Sequence, residues 1–403
     1  MKIGIVSNLF PPQARGGAEL VAQRVADALY EQGHEVFVLS TERFRGLRSL
    51  YPFCRARHLG SVYRFFPLNF YHIKQDGRVP FPIRALWHLV DLFHPLTRRA
   101  IRYVIRLEEP DVIITHNLKG LGVTAGSEIQ KQGIPHIHTL HDVQLSVPSG
   151  LLIFGQENAW LNTSFLRHWY EKGVRKSIGN PDVVISPSAF LADFYKARGL
   201  FDQSEVKVMP NPLPAVEEGV REERIHSKTR FLYVGQLEKH KGIMLMLDAL
   251  EEMGDDVELH IAGDGALGEY VSLRANTDRR IRYHGFVSLG HLMRILQTSD
   301  AVLAPSLCYE NSPTVIYEAF QIGVPVIASR IGGVPELIED GVNGMLVKPG
   351  SKSELVGAMK TLHNDRDVWW GKTEQIHKGA QQYAIKKYVK RLEEVMNDIV
   401  KEN

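Results

Sequence analysis

Two glutamates, Glu310 and Glu318, stand with seven residues between them inside the stretch Ala301–Ser329. The stretch reads as a short apolar strand, a polar loop, an amphipathic helix, a Gly-Pro turn and a second apolar strand, which is a βαβ pattern. Glu310 falls in the loop and Glu318 inside the helix. Ser312 suits the N-cap and Pro313 the first helical position. The N–H groups of Thr314 and Val315 then point out of the positive end of the helix, a natural seat for a phosphate. An acid before the helix, an anion site at its tip and an acid within it suit a ligand with hydroxyls around a diphosphate, as in a nucleotide sugar. Most helix glutamates are simply solvated. The neighbouring anion site and Glu310 weigh against that reading for Glu318, whose carboxylate can take two ribose hydroxyls by charge-assisted bonds.

Other residues bear chemistry at a distance in sequence. Lys241, before Gly242, opens a helix and offers a point charge to a departing phosphate. Gly16 and Gly17 precede a helix and allow backbone to approach a phosphate closely. The pair is not part of a G-x-G-x-x-G, which argues against a nicotinamide dehydrogenase. His116, His136, His138 and His141 gather at two strand ends. His136 and His138 alternate on one strand face with no Cys or paired carboxylate beside them, so they read as core and no metal site is expected. His141 lies just past its strand, where function belongs, with Asp142 placed to orient its ring.

The elements that must position these residues form two α/β series. In the first, strands are expected at Lys2–Ser7, Glu35–Leu39, Asp111–Thr115, Pro135–Leu140, Asp182–Ser186 and Val206–Met209, with a helix over Ala18–Gln32 ended by Gly33. Thr41–Arg106 is less regular, and Leu151–Tyr170 is an aromatic insertion. Leu213–Lys228 reads as a linker. The second series has strands at Arg230–Val234, Val257–Ala262, Ile281–Tyr283, Ala301–Ala304 and Val324–Ala328. Helices fall near Ile243–Met253, Leu267–Ala275, Gly290–Gln297, Pro313–Gln321 and from Ser353 to about His363. The tail Tyr383–Val400 is helical, with Val389, Leu392, Val395, Met396 and Ile399 on one stripe. The fold class is therefore α/β with two Rossmann-like doubly wound domains, residues 1–212 and 213–382. Ligand groups belong at the carboxyl ends of the strands, facing a cleft between the domains.

Length and composition agree with two globular domains: 403 residues, 44% hydrophobic and 23% charged. Charge is unevenly spread. Residues 43–106 hold thirteen Lys and Arg against two acids, a local +11, while the whole chain carries +2. Such asymmetry speaks of a partner. Nucleic acid is disfavoured because no nucleic-acid fold is legible. An anionic membrane surface or anionic acceptor fits the mixture of Arg and aromatic residues better. Two distant cysteines, Cys54 and Cys308, suggest a reducing compartment. No apolar run is long enough to span a bilayer, and the N-terminus reads as a strand, so a cytoplasmic and peripheral location is expected.

An ordered set of short motifs then resembles the retaining glycosyltransferases of family GT4, with the two-Rossmann GT-B architecture. They are GGAE (Gly16–Glu19), GHEV (Gly33–Val36), TLHD (Thr139–Asp142), ISPS (Ile185–Ser188), MPNP (Met209–Pro212), YVGQLEKHKG (Tyr233–Gly242), IAGDG (Ile261–Gly265) and HGFV (His284–Val287). The glutamate pair follows, and GVPVIAS, GGVPELI and GVNGMLVKP complete the set. The resemblance implies that Glu310 meets the donor sugar, Glu318 the ribose and Lys241 the diphosphate. It implies that backbone near Phe286 and Val287 meets the base, and that Asn311, Ser312, Thr314 and Val315 line the donor site. Gly16 and Gly17 would face the donor from the first domain, and His141 would lie near the sugar. The family has Arg where Gln236 stands, so one phosphate cation is missing: either Lys239, His240 or Arg15 compensates, or the leaving group is less well stabilised. The resemblance also implies a C-terminal helix, 383–403, that crosses back to the first domain.

The expected activity is retaining, metal-independent transfer of a hexosyl unit from a UDP- or GDP-sugar to a saccharide or lipid-linked acceptor. No cofactor is expected beyond the nucleotide diphosphate sugar, which is a substrate. The rival is a nucleotide-sugar-binding protein without catalysis.

Overall fold

The computed structural model describes every residue except 14–15, 58–59, 74–78, 160–163, 214–220, 222–225 and 403. The chain forms two compact units. One comprises Met1–Leu151, Asn158–Pro212 and Ile385–Asn403; the other comprises Leu152–Glu157 and Leu213–Ala384. The short segment Leu152–Glu157, assigned above to the first domain, thus belongs to the second unit. It bonds there through backbone groups, Phe154 N–H to Leu307 O and Tyr309 N–H to Leu152 O, both at 2.8 Å.

The first unit begins β1 (Lys2–Val6), α1 (Gly17–Glu31), β2 (Glu35–Thr41), β3 (Phe53–Arg57) and β4 (Gly60–Phe65). Next come α2 (Phe81–Leu92), α3 (Pro95–Glu108), β5 (Val112–Thr115), α4 (Ala125–Lys131) and β6 (His136–Thr139). The helices α5 (Phe165–Ile178) and α6 (Ala189–Lys196) alternate with β7 (Val183–Ser186) and β8 (Glu205–Val208). The sheet order is β3-β4-β2-β1-β5-β6-β7-β8. All neighbours are parallel except the β3–β4 pair at the edge. The stretch 41–106 is therefore more regular than its sequence suggests. It supplies an antiparallel edge pair and two helices. Basic residues such as Arg55 interrupt the apolar alternation that would reveal an edge strand, and they suit an edge that must not pair further.

The second unit runs β9 (Thr229–Val234), α7 (Ile243–Leu250), β10 (Val257–Ala262), α8 (Gly268–Thr277), β11 (Ile281–Gly285), α9 (Leu289–Gln297) and β12 (Ala301–Ala304). It continues with α10 (Thr314–Ile322), β13 (Val326–Ser329), β14 (Gly344–Val347), α11 (Lys352–Asn364), α12 (Arg366–Gly371) and α13 (Thr373–Ala380). Its sheet, β11-β10-β9-β12-β13-β14, is wholly parallel. Two apolar clusters cover its faces, one around Leu247, Leu259 and Met359, the other around Met293, Ile316 and Phe320. Strands buried on both faces read as continuous apolar runs, which is why their positions are legible.

The tail helix α14 (Ile385–Glu402) belongs to the first unit. Val389, Leu392, Val395, Met396 and Ile399 join the core built from β1 and α1. His34 and Glu393 meet at 2.9 Å beside them. Most of the linker lies outside the described residues. Within it, the Arg221 guanidinium is buried and donates to Thr373 Oγ1 at 2.7 Å and Ser299 O at 3.0 Å.

Candidate active site

In each unit the strand order reverses beside a central strand: β2-β1-β5 in the first and β10-β9-β12 in the second. Loops that leave such strands at their carboxyl ends splay apart and open a crevice. In the second unit the loop after β9 carries Lys241 and the loop after β12 carries Glu310.

Folding brings these two side chains together. The Lys241 ammonium donates to the Glu310 carboxylate. Ser306 Oγ donates to Glu310 Oε1 at 3.1 Å, and Cys308 Sγ lies 3.5 Å from the same oxygen. Burial pushes the Glu310 carboxyl up, but the Lys241 charge and these hydrogen bonds outweigh it and hold the group below its ordinary range. Burial pulls Lys241 down, and the Glu310 charge more than reverses this, so the ammonium is firmly protonated. Burial, with Glu310 adding to it, pushes the Cys308 thiol up to about 11, so it keeps its proton at neutral pH and can donate.

Backbone lacing holds the two loops in register. Leu307 and Cys308 N–H groups both reach His240 O, at 2.8 and 3.2 Å. Gly242 has φ +78°, and a Cβ there would sit 1.9 Å from Pro305 O. Gly332 has φ +61°, and its Cβ would sit 2.1 Å from Glu310 O, which accepts the Gly333 N–H at 2.8 Å. Only glycine fits either contact. These roles of Ser306, Cys308, Gly242 and Gly332 were not read from sequence, because they are visible only once both loops are in contact.

The helix α10 starts one residue later than its sequence implies. Pro313 is the N-cap, with no side-chain cap, and Ser312 instead pairs its hydroxyl with that of Tyr317. Ile316 N–H turns back to Pro313 O at 3.1 Å. Thr314 and Val315 therefore lead the helix, where N–H groups have no intrahelical acceptor. Asn311 is buried, and Glu318, one turn along from Thr314, is 6% exposed. Glu318 is thus no solvated surface acid. Gln236 is exposed, as is Lys239, while His240 is half-buried. Arg15 lies outside the described residues. Phe286, just past β11, is 87% exposed, and Val287 packs half-buried on the core.

In the first unit Gly16 is the N-cap of α1 and Gly17 its first residue. The tip carries its own carboxylate: Gly16 N–H donates to Glu19 Oε2 at 2.8 Å. Gly16 is extended, and a Cβ would meet only that oxygen, at 3.4 Å. His141 follows β6, and its Nε2 lies 2.9 Å from His116 Nδ1, with the two rings stacked. The Asp142 carboxylate accepts the Gln144 N–H at 2.8 Å. Burial drops His141 to about 4, so the ring is neutral. His136 and His138 are core residues that share the Thr115 hydroxyl at 2.8 Å each. Among the described residues no group of three or more His, Cys, Asp or Glu forms a metal cluster.

Both halves of the chain match known families. Residues 15–215 match the model "Glycosyltransferase Family 4", and residues 228–365 match "Glycosyl transferases group 1". The chain belongs to the family 4, group 1 glycosyltransferases. The first match takes in Gly16, Gly17 and His141, and the second takes in Lys241, Glu310 and Glu318. Among curated relatives of this glycosyltransferase, a glycogen synthase of Mycobacterium tuberculosis is 27% identical over 382 residues, covering 91% of this chain and 86% of the relative. The putative teichuronic acid biosynthesis glycosyltransferase TuaC of Bacillus subtilis is 24% identical over 389 residues, covering 92% and 90%. The GT-B fold is shown by solved structures. Sucrose-phosphate synthase of Thermosynechococcus elongatus has a TM-score of 0.76 at 17% identity over 100% of both chains. HepE of Anabaena, in complex with UDP-glucose, has a TM-score of 0.71 at 21% identity over 99% of this chain and 100% of that one.

Proposed function

We propose that this protein is a retaining, metal-independent hexosyltransferase that uses a UDP- or GDP-sugar. Its acceptor is a saccharide or lipid-linked saccharide, in cell-surface polysaccharide or glycolipid synthesis. The single observation that carries the reading is the Lys241–Glu310 pair at the switch point of the second sheet, four residues before α10. A diphosphate seated at Thr314 and Val315 meets the helix start, and Lys241 meets the charge that grows on the leaving phosphate. Glu310 stays ionised against the sugar, and Glu318 takes the ribose hydroxyls. His141, neutral, offers a hydrogen bond to the sugar. The bond from the anomeric carbon to the β-phosphate oxygen breaks. The bond from that carbon to the acceptor oxygen forms on the same face, and the acceptor proton passes to the departing phosphate. The names of TuaC and of glycogen synthase support polysaccharide as the product class. Two free cysteines support a reducing, cytoplasmic setting.

Thermal melts against a panel of UDP-, GDP- and ADP-sugars identify the donor, since a ligand that binds only the folded state raises the melting point. NMR of the product with the cognate donor reports the anomeric configuration. Inversion overturns the retaining mechanism, and full activity in chelator supports metal independence. The exposed Gln236 at the usual Arg position keeps a binding-only reading in play. Donor binding without turnover over an acceptor panel selects that reading.

A further inference from the structure

Two imidazoles face each other at the carboxyl edge of the first sheet. His116 follows β5 directly, and His141 lies two residues past β6. These strands are parallel neighbours and pair Thr115 with His138. Backbone bonds pin both strand ends: His116 N–H donates to Val6 O and Leu140 N–H to Ile185 O, each at 2.8 Å. His116 Nδ1 and His141 Nε2 are 2.9 Å apart, with ring centroids 5.2 Å apart and planes 23° apart. His141 is partly exposed and can meet a ligand. His116 is 1% exposed and lies behind it, so it can act only through another group.

One proton lies in this contact. Two neutral rings share a hydrogen bond with either one as donor. Both rings are neutral, because burial lowers both pKa values, and the charges of His141 and His138 lower that of His116 further. The far nitrogen of His116 decides between the two arrangements. His116 Nε2 is buried and has no hydrogen-bond partner among the described residues. With His141 as donor, His116 would carry its own proton on Nε2, a buried N–H with nothing to accept it, which costs its desolvation in full. With His116 as donor, Nε2 holds a bare lone pair, and an orphaned acceptor is the commoner of the two defects in folded proteins. We therefore assign the shared proton to His116 Nδ1. His141 Nε2 accepts it, and the proton of His141 sits on Nδ1.

We propose that His116 is a positioning residue that holds His141 in its Nδ1–H tautomer, so that His141 meets the donor sugar as a hydrogen-bond donor and not as a base. Which imidazole nitrogen works is set by the bond the other one makes. With Nε2 engaged and Nδ1 protonated, His141 has no open lone pair for the acceptor's proton. That proton is left to the departing phosphate, as in the transfer step. The role at the sugar rests on the transferase reading, whereas the pairing is a property of the free protein.

The test begins with NMR of the imidazole nitrogens in protein labelled with nitrogen-15 histidine, at neutral pH and without substrate. His141 is assigned from the signals lost in His141→Gln. Wild-type His141 should show a protonated Nδ1 and a bare Nε2. His116→Leu should mix the two tautomers. His116→Asn, whose amide can donate in place of Nδ1–H, should keep the wild-type one. With the donor found by thermal melts, His116→Leu should lower kcat by about 10–100-fold at an unchanged donor KM, the range for partners that fix the tautomer of a metal-bound imidazole. His116→Asn should restore most of this loss. A merely structural role would lower melting point and kcat together in both variants and leave the His141 tautomer as it was. A wild-type proton on His141 Nε2 overturns the pairing, as does an unchanged His141 spectrum in His116→Leu. Full turnover in His116→Leu overturns the positioning role. A wild type that turns over no donor overturns the role at the sugar together with the transferase reading, and the spectrum still decides the pairing.

Discussion

At Glu310 three donors converge on one carboxylate: Lys241, Ser306 and Cys308. The group is ionised because Lys241 is there, and Lys241 is protonated because Glu310 is there. Replacing Lys241 by Ala removes both the countercharge of Glu310 and the cation for the leaving phosphate. Turnover should fall by ~10²–10³, the range found when one preorganised donor is removed from a developing charge. Steady-state kinetics checks this. A loss confined to KM would mean that Lys241 contributes only to ground-state binding. The sequence marked Lys241 and Glu310 separately, and the resemblance assigned them different partners. Their direct contact was not legible, because 69 residues separate them.

At the scale of elements, the site depends on loops that touch backbone to backbone. Gly242→Ala places a methyl group 1.9 Å from Pro305 O in a left-handed conformation. The loops after β9 and β12 must then part, at a cost of at least about 1–3 kcal/mol for the backbone strain alone. A lower melting point and a lower kcat should appear together. A variant as stable and as active as the wild type would remove Gly242 from the site's support. The tail helix makes a separate claim. Leu392 is buried in the core of the first unit, so Leu392→Ala should destabilise by about 2–5 kcal/mol, read from urea unfolding. The apolar stripe of α14 was legible from its spacing. The helices α2 and α3 were not placed from sequence: α2 shows water an apolar face, and the stripe of Ala100, Ile101, Val104 and Ile105 on α3 was passed over.

The first sheet contributes a pH dependence to the whole molecule. His116, His136, His138 and His141 lie in or just past β5 and β6, and burial lowers all four pKa values, His136 to about 3 and His141 to about 4. Above the ordinary value of 6.5 both folded and unfolded chains hold these rings neutral, and nothing is lost. As pH falls through 6.5 the unfolded chain takes up protons that the folded chain refuses. Stability should then decline by up to about 1.4 kcal/mol per pH unit for each histidine. Urea unfolding at pH 7.5 and pH 5 measures the slope, which His138→Gln should reduce. An equal slope in that variant would show that His138 takes no part. The sequence by itself determined two doubly wound domains, the strands buried on both faces, the tail stripe and the loops where function gathers. These are written in local periodicity and in glycines, which neighbouring residues decide among themselves. Only the tertiary structure decided that Lys241 neutralises Glu310, that His116 meets His141, and that α2 faces outward. These depend on segments distant in the chain, and burial and electrostatic partnership exist only after those segments have met.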